Sequence, residues 1–167
     1  MNITYAGVGA RKTPTRVLSQ MREYARLQAL QGSTLRSGGA IGADQAFYKG
    51  FIEAQEDGEL GHAEIFLASC CTPEAEEHAS RYHPRWRGCS AYVRKLHGRN
   101  SMIVLGADLN SPVDLMICWT QFGETVGGTG QAIRVAEDAG IDIINLGIRM
   151  ECERLAETIR QMKEAVK

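Results

Sequence analysis

Short apolar segments alternate with longer stretches of helical period along most of this 167-residue chain. The apolar segments read NITYAGVG, TLRSGG, HAEIFLA, VDLMICWT and IDIINLG, and short apolar runs of this kind are typical of buried strands. Between them, apolar residues recur every three or four positions, as in TPTRVLSQMREYARLQALQ. Strands that alternate with helices form a parallel sheet covered on both faces. The pattern therefore predicts an α/β fold with a mostly parallel five-stranded sheet.

Local signals mark the ends of several predicted helices. Thr72 is predicted to cap TPEAEEHASRYH, because Pro73 follows it at the first helical position. A further helix is predicted over RNSMIVLGADL, at 99–109, and the terminal segment ECERLAETIRQMKEAVK is amphipathic. A chain of this length buries enough surface to be stable as one unit, so residues 1–167 are predicted to form a single domain.

The composition predicts a soluble cytoplasmic protein with no membrane partner. The sequence contains no run of about 18 apolar residues and does not open with the order of a signal peptide. Its five cysteines form no CxxC pair, which argues against a disulfide framework or a zinc site. His78, His83 and His97 lack a known ligand spacing, so neither a metal site nor a cofactor is predicted.

Positive charge is concentrated in RYHPRWRGCSAYVRKLHGR, at 81–99, which holds six of the 19 Arg and Lys residues and no Asp or Glu. Tyr82, Trp86 and Tyr92 are interleaved with these cations, a mixture that stacks bases and neutralises phosphates. Single-stranded DNA is therefore a candidate partner, although a solvated or partner-facing loop explains the segment equally well. We also expect Trp86 and Tyr92 to be exposed, which would favour a homo-oligomer.

Three glycine-bearing loops follow predicted strands, and in open parallel sheets ligands bind beyond the carboxyl ends of the strands. The loops read AGVGARKT, SGGAIGAD and TQFGETVGGTGQA. Glycines let backbone N–H groups approach a phosphate, and a helix N-terminus adds unpaired donors and about half a positive charge. Each loop alone would also fit a tight turn between a strand and a helix. Their common position at one sheet edge favours a phosphate pocket.

Two common nucleotide signatures are absent from these loops. A dinucleotide-binding loop needs G-x-G-x-x-G, but Lys12 stands where the third glycine should follow Gly7 and Gly9. A P-loop needs a glycine immediately before its lysine, and this chain has Arg11 there. The sequence therefore predicts neither a nicotinamide-dependent enzyme nor a P-loop NTPase.

The loops resemble, in order, the motifs of the SLOG superfamily, which unites the core of the DNA-processing protein DprA with the LOG nucleoside-monophosphate phosphoribohydrolases. GVGARKTP is similar to the G-S-R-x-P-T/S opening of DprA, SGGAIGAD to its S-G-G-A-x-G-I-D, and GRNSMIVLG to its R-N-R-I-I-x-G. The resemblance implies a Rossmann-like three-layer sandwich. It also implies that the strand-end pocket binds a nucleotide or a nucleotide-derived ligand.

The resemblance and the glycine loops together define the candidate ligand-binding residues. Arg11 and Arg99 would balance the phosphate charge, and Asp44 would contact a ribose hydroxyl. The full set is Gly9, Arg11, Ser37, Gly38, Gly39, Asp44, Arg99, Asn100, Gly127, Gly128, Thr129 and Gly130.

Two further activities follow from the same resemblance. LOG enzymes cleave the N-glycosidic bond with an arginine from H-E-R-K and a glutamate after P-G-G-x-G-T, and His97-Gly98-Arg99 resembles the first motif. After the second motif this chain has Ala132, Ile133 and Arg134 instead of acids, which leaves Asp44 and Glu124 as candidate catalytic carboxylates. DprA-like binding of single-stranded DNA is the other alternative. Nucleotide binding is the main hypothesis, and all three remain open at this point.

Overall fold

The computed structural model describes residues 2–56, 58 and 61–165, and in this part of the chain all five predicted strands form. They are parallel throughout and lie in the order β3-β2-β1-β4-β5. Their bounds are β1 Thr4–Gly7, β2 Thr34–Ser37, β3 His62–Ile65, β4 Leu115–Cys118 and β5 Asp142–Asn145. The predicted α/β class is therefore confirmed, with a sheet that is fully rather than mostly parallel.

Six α-helices alternate with the strands in the described residues. Their bounds are α1 Thr15–Leu30, α2 Ala43–Glu56, α3 Pro73–Ser80, α4 Ala91–Leu105, α5 Gly127–Asp138 and α6 Arg149–Ala165. The predicted cap of α3 is confirmed, because Oγ1 of Thr72 accepts a hydrogen bond of 3.1 Å from the N–H of Ala75. None of the described helices has the length and apolar character needed to cross a membrane.

The helices cover both faces of the sheet and make three layers. Successive strand residues point to opposite faces. Tyr5 of β1 thus belongs to the core formed with α1, α2 and α6, while its neighbour Ala6 belongs to the core formed with α4 and α5. Helix α3 packs against α4. This arrangement is the Rossmann-like three-layer sandwich.

Helix α4 differs from its predicted bounds at both ends. It begins eight residues before 99, because Oγ of Ser90 accepts a hydrogen bond of 3.3 Å from the N–H of Val93 and caps the helix there. It ends before Gly106, whose φ of 83° is readily adopted by glycine. About half of the basic segment is therefore helical. Its last residues, His97 and Arg99, are buried.

The order of the strands creates a crevice at one edge of the sheet. From β1 the chain continues to β2 on one side, and after β3 it crosses to β4 on the other side of β1. The loops that leave the carboxyl ends of β1 and β4 therefore diverge. Ligands of doubly wound sheets bind at such a switch point.

Candidate ligand-binding site

A cavity of about 850 Å³ lies at the carboxyl edge of the sheet. Its walls come from the loops after β1, β2 and β4, the first two thirds of α4, and the beginnings of α2 and α5. Small-molecule pockets typically have volumes of about 300–1,000 Å³, and this cavity is in that range. The predicted site residues that line it are Gly9, Arg11, Asp44, Arg99, Asn100, Gly127, Gly128 and Thr129.

Three predicted residues at the end of β2 and directly after it lie outside this lining and support it instead. The buried hydroxyl of Ser37 donates a hydrogen bond of 2.6 Å to the carbonyl oxygen of Gly7, which joins β2 to β1. A Cβ at Gly38 would overlap the guanidinium of Arg99, so this glycine makes room for the arginine. Gly39 has a φ of 71°, a left-handed conformation that glycine adopts readily. Residues 37–39 thus support the cavity wall, and Gly38 leaves space for the Arg99 side chain.

Two other predicted residues also lie outside the lining. Gly130 is buried in α5, and a Cβ there would meet the backbone of Thr125 at 2.6 Å, so this glycine permits close packing. Glu124 is exposed in the loop after β4. Of the two candidate catalytic carboxylates, Asp44 alone lines the cavity.

Asp44 and Arg99 form a buried ion pair in the cavity wall. Oδ2 of Asp44 lies 3.5 Å from Nη1 of Arg99, and their side chains are 4% and 9% exposed. The same oxygen accepts a hydrogen bond of 3.2 Å from the N–H of Ala40. Burial raises the pKa of Asp44 above its usual range, although the positive charge of Arg99 acts in the opposite direction. The cavity therefore contains a carboxyl group that is held firmly and is unusually ready to bind a proton.

The N-terminus of α5 opens onto the cavity at Gly127, Gly128 and Thr129. Among the described residues, no side chain caps this end of the helix. The N–H groups in the first turn of a helix lack intrahelical acceptors and carry a partial positive charge. Asn100 fixes this turn in place, because its Nδ2 donates a hydrogen bond of 3.0 Å to the carbonyl oxygen of Gly128. This end of α5 is therefore an available binding position for an anion.

Cationic and aromatic side chains complete the lining of the cavity. Arg11 and Lys12 are exposed in the loop after β1, and neither is ion-paired within the part of the chain that the structure describes. Tyr92 of α4 is 65% exposed, and Trp119 lies at the end of β4. The lining thus combines positive charge, N–H donors and aromatic rings, which suit a ligand with a phosphate and a planar base.

The basic segment 81–99 divides into an exposed part and a buried part. The exposed cations are Arg81, Arg85, Arg87 and Lys95. The expectation that Trp86 is exposed is wrong, because its ring packs 6.4 Å from the ring of His97 and Cζ of Arg94 lies 5.6 Å over it. Binding of single-stranded DNA through this segment stays a prediction that depends on the exposed cations.

The structure also brings together a cluster that the sequence spacing did not predict. One ligand atom each from His83, Cys89 and His97 lie within 4.8 Å of one another. Burial lowers the pKa of His97 to about 4. Five and seven residues separate the three positions, which matches no common metal-binding signature. His83 and Cys89 lie in the loop between α3 and α4, which contains a 3₁₀ turn at Trp86–Gly88. No local sequence pattern indicates that this loop contacts His97 of α4.

Comparison of the chain with protein families, with curated proteins and with solved structures found no match. The resemblance to the SLOG superfamily therefore stays a prediction from the motifs. The function is inferred below from the geometry of the site.

Proposed function

We propose that the cavity binds a phosphorylated nucleotide or a nucleotide-derived ligand. The observation that carries the proposal is a cavity of about 850 Å³ at the switch point of the sheet. It is lined by the N-terminus of α5 and by Arg11 and Lys12, and among the described residues no side chain caps that helix end or pairs with those two cations. A helix N-terminus binds phosphate through its free N–H groups and its partial positive charge. The phosphate is therefore placed against Gly127–Thr129, with Arg11 at its side.

The remaining lining residues support contacts with the rest of the ligand. Tyr92 and Trp119 offer aromatic surface for a base, and Asp44 offers a carboxyl oxygen for a ribose hydroxyl. The SLOG-like motifs support the same ligand class, because the residues that carry them include Arg11, Arg99 and Asn100, all of which line the cavity. The proposal also includes the cytoplasmic location predicted from the composition, which cell fractionation would test.

Arg11→Ala is expected to weaken binding of a nucleoside 5′-monophosphate by about 10- to 100-fold. A hydrogen bond to a charged group contributes about 1.5–3 kcal/mol, and Arg11 has no ion-pair partner in the described chain that would compete for it. Isothermal titration calorimetry with the common ribonucleoside 5′-monophosphates measures the change. Binding of the matching nucleosides should be weak in both proteins, since they lack the phosphate.

The matched control is Arg160→Ala, because Arg160 pairs with Glu157 near the end of α6 and lies outside the cavity lining. This variant should bind the monophosphate as the wild type does. Equal loss in both variants would show a general charge effect. Monophosphate and nucleoside binding of equal strength would refute the placement of the phosphate.

N-glycosidic hydrolysis is a second candidate function, and the state of Asp44 favours it. Asp44 lines the cavity beside Arg99, and burial holds its pKa above the usual range. Carboxyl groups with a perturbed pKa inside a cavity are typical of catalytic sites. In this mechanism the carboxylate would stabilise the positive charge that develops on the ribose as the base departs.

Incubation of nucleoside 5′-monophosphates with the protein would then release free base, which chromatography detects. Asp44→Asn is expected to lower the rate at least about 100-fold, the usual effect of removing one group that stabilises charge in the transition state. Glu124→Gln is the control and should retain the rate, because Glu124 is exposed outside the cavity lining. Base release that continues unchanged in Asp44→Asn would remove Asp44 from the chemistry.

A further inference from the structure

We propose that His83, Cys89 and His97 bind a Zn²⁺ ion beside the cavity. Sγ of Cys89 and one ring nitrogen of each histidine lie within 4.8 Å of one another. Zinc in proteins is typically held by cysteine sulfur and histidine nitrogen, and three protein ligands suffice when water or a bound molecule fills the fourth position. The proposal is independent of the nucleotide site, because its test uses metal ions alone.

The separations in the cluster are close to those of a formed zinc site. Sγ of Cys89 lies 3.7 Å from Nδ1 and 3.9 Å from Nε2 of His83. Tetrahedral zinc with bonds of about 2.3 Å to sulfur and about 2.0–2.1 Å to nitrogen places these atoms about 3.5–3.6 Å apart. The separations that involve His97 are at most 4.8 Å, so the ligand atoms would move closer together when the metal binds.

His97 supplies an independent indication of a ligand. The residue is 6% exposed, and its Nδ1 is buried without a hydrogen-bond partner among the described residues. Buried polar atoms in native proteins almost always have a partner, so an unpaired one needs an explanation. The ring of His97 lies 4.4 Å from the ring of His83, centre to centre. A metal ion shared with His83 and Cys89 would explain why this imidazole is buried here.

The existing hydrogen bonds of the cluster are easily replaced. Nδ1 of His83 accepts a hydrogen bond of 3.1 Å from the N–H of Arg85, and the thiol of Cys89 donates a long one of 3.6 Å to the carbonyl oxygen of Arg85. The carbonyl oxygen of Arg85 also accepts a hydrogen bond of 3.0 Å from the N–H of Gly88, so it keeps a partner when the thiol proton is lost. The proton of the thiol is released to solvent, because the thiolate is the form that binds metal.

The surroundings favour zinc over hard cations. The three ligands include no carboxylate, and Arg94 lies over the Trp86 ring that packs against His83 and His97. Mg²⁺ and Ca²⁺ need oxygen ligands, which the cluster does not supply. A thiolate with two imidazoles is a set that Zn²⁺ and Co²⁺ prefer, and the thiolate offsets one positive charge.

The bound ion would fasten the loop after α3 to α4. His83 and Cys89 lie in that loop, whereas His97 lies in α4 and also lines the cavity. The metal would therefore link the loop that carries the exposed Arg85 and Arg87 to the part of α4 that lines the cavity. Its fourth coordination position is left for water or a bound molecule.

Titration of chelator-treated protein with Co²⁺ tests the site, because cobalt bound to a thiolate gives a charge-transfer absorption band. We expect one equivalent of Co²⁺ to produce the band and Zn²⁺ to remove it. Cys89→Ser should abolish the band, and His83→Ala should weaken binding at least tenfold. The matched control is Cys70→Ser combined with His62→Ala, since both residues are exposed outside the cluster. This control should bind Co²⁺ as the wild type does.

A second measurement uses the wild-type protein alone and so does not depend on whether a variant folds. Zn²⁺ should protect Cys89 from alkylation, as read by mass spectrometry of its peptide, while the exposed Cys70 still reacts. Absence of the charge-transfer band in the wild type would overturn the proposal. An unchanged band in folded Cys89→Ser, or alkylation of Cys89 that Zn²⁺ does not slow, would also overturn it.

Discussion

Arg99→Ala is expected to lower the free energy of unfolding by about 3–5 kcal/mol, the usual cost of removing one partner from a buried ion pair. Asp44 would be left with a carboxylate that is 4% exposed and has lost its counter-charge. Urea denaturation followed by circular dichroism measures the change as a lower midpoint. The effect exceeds that of an exposed pair such as Arg149 with Glu153, whose removal should cost under about 1 kcal/mol.

The origin of this loss can be tested by also replacing Asp44. The double variant Arg99→Ala/Asp44→Asn should be more stable than Arg99→Ala alone, because the amide carries no unpaired charge. The pH dependence follows from burial, which raises the pKa of Asp44 in the folded protein above that in the unfolded chain. The folded state therefore binds the proton more tightly. The contribution of Asp44 to the stability of Arg99→Ala should therefore be greatest at low pH and fall as pH rises through the raised pKa of Asp44, as measured by comparison with the double variant at each pH.

Two results would contradict the ion-pair explanation. The first is a stability loss in Arg99→Ala that is the same at every pH. The second is a double variant that is no more stable than the single one. Either result would mean that Arg99 stabilises the fold through its packing or its hydrogen bond of 3.5 Å to the carbonyl oxygen of Phe66, and not through its charge.

Gly50→Ala is expected to destabilise the fold by about 1–3 kcal/mol, the range observed when extra atoms enter a well-packed site. Gly50 is buried in α2, where a Cβ would overlap the backbone carbonyl oxygen of Arg22 in α1. The clash is with backbone, so a side-chain rotation cannot relieve it and the two helices must move apart. Alanine favours a helix interior over glycine by about 1 kcal/mol, so a net loss isolates the packing effect. Thermal or urea unfolding measures it.

Gly88→Ala is the matched control for this substitution. A Cβ at Gly88 would meet no atom of the described chain within 4 Å, and the backbone there does not have a positive φ. Its stability should stay within about 0.5 kcal/mol of the wild type. A Gly50→Ala protein as stable as Gly88→Ala would show that α1 and α2 can separate without cost.

The layered architecture was predictable because periodicity is a local property. Segments such as VDLMICWT and TPTRVLSQMREYARLQALQ indicate a strand and a helix without reference to the rest of the chain. Their alternation favours a parallel sheet, and parallel strands have their carboxyl ends at one edge. The loop after β1 and the beginning of α5 could therefore be assigned to one site, and the structure places both at the cavity.

Other features of the site depend on contacts between distant residues. Fifty-five positions separate Asp44 from Arg99, and their pairing arises because α2 and α4 both border the carboxyl edge of the sheet. The hydroxyl of Ser37 donates a hydrogen bond to the carbonyl oxygen of Gly7 because β2 lies beside β1. This hydroxyl therefore stabilises the sheet and does not line the cavity. Helix α4 begins before its predicted start, because the cap at Ser90 determines the first turn and the apolar pattern becomes continuous only later in the helix.

The amino-acid pattern alone was thus sufficient for the fold class, the five strands and the glycine-rich edge, since each follows from residues that are neighbours in the chain. Packing of helices and loops was needed to bring Arg99 to Asp44 and to gather His83, Cys89 and His97. The direction of a side chain and the identity of its distant neighbours depend on how elements pack in three dimensions. No local periodicity encodes that packing.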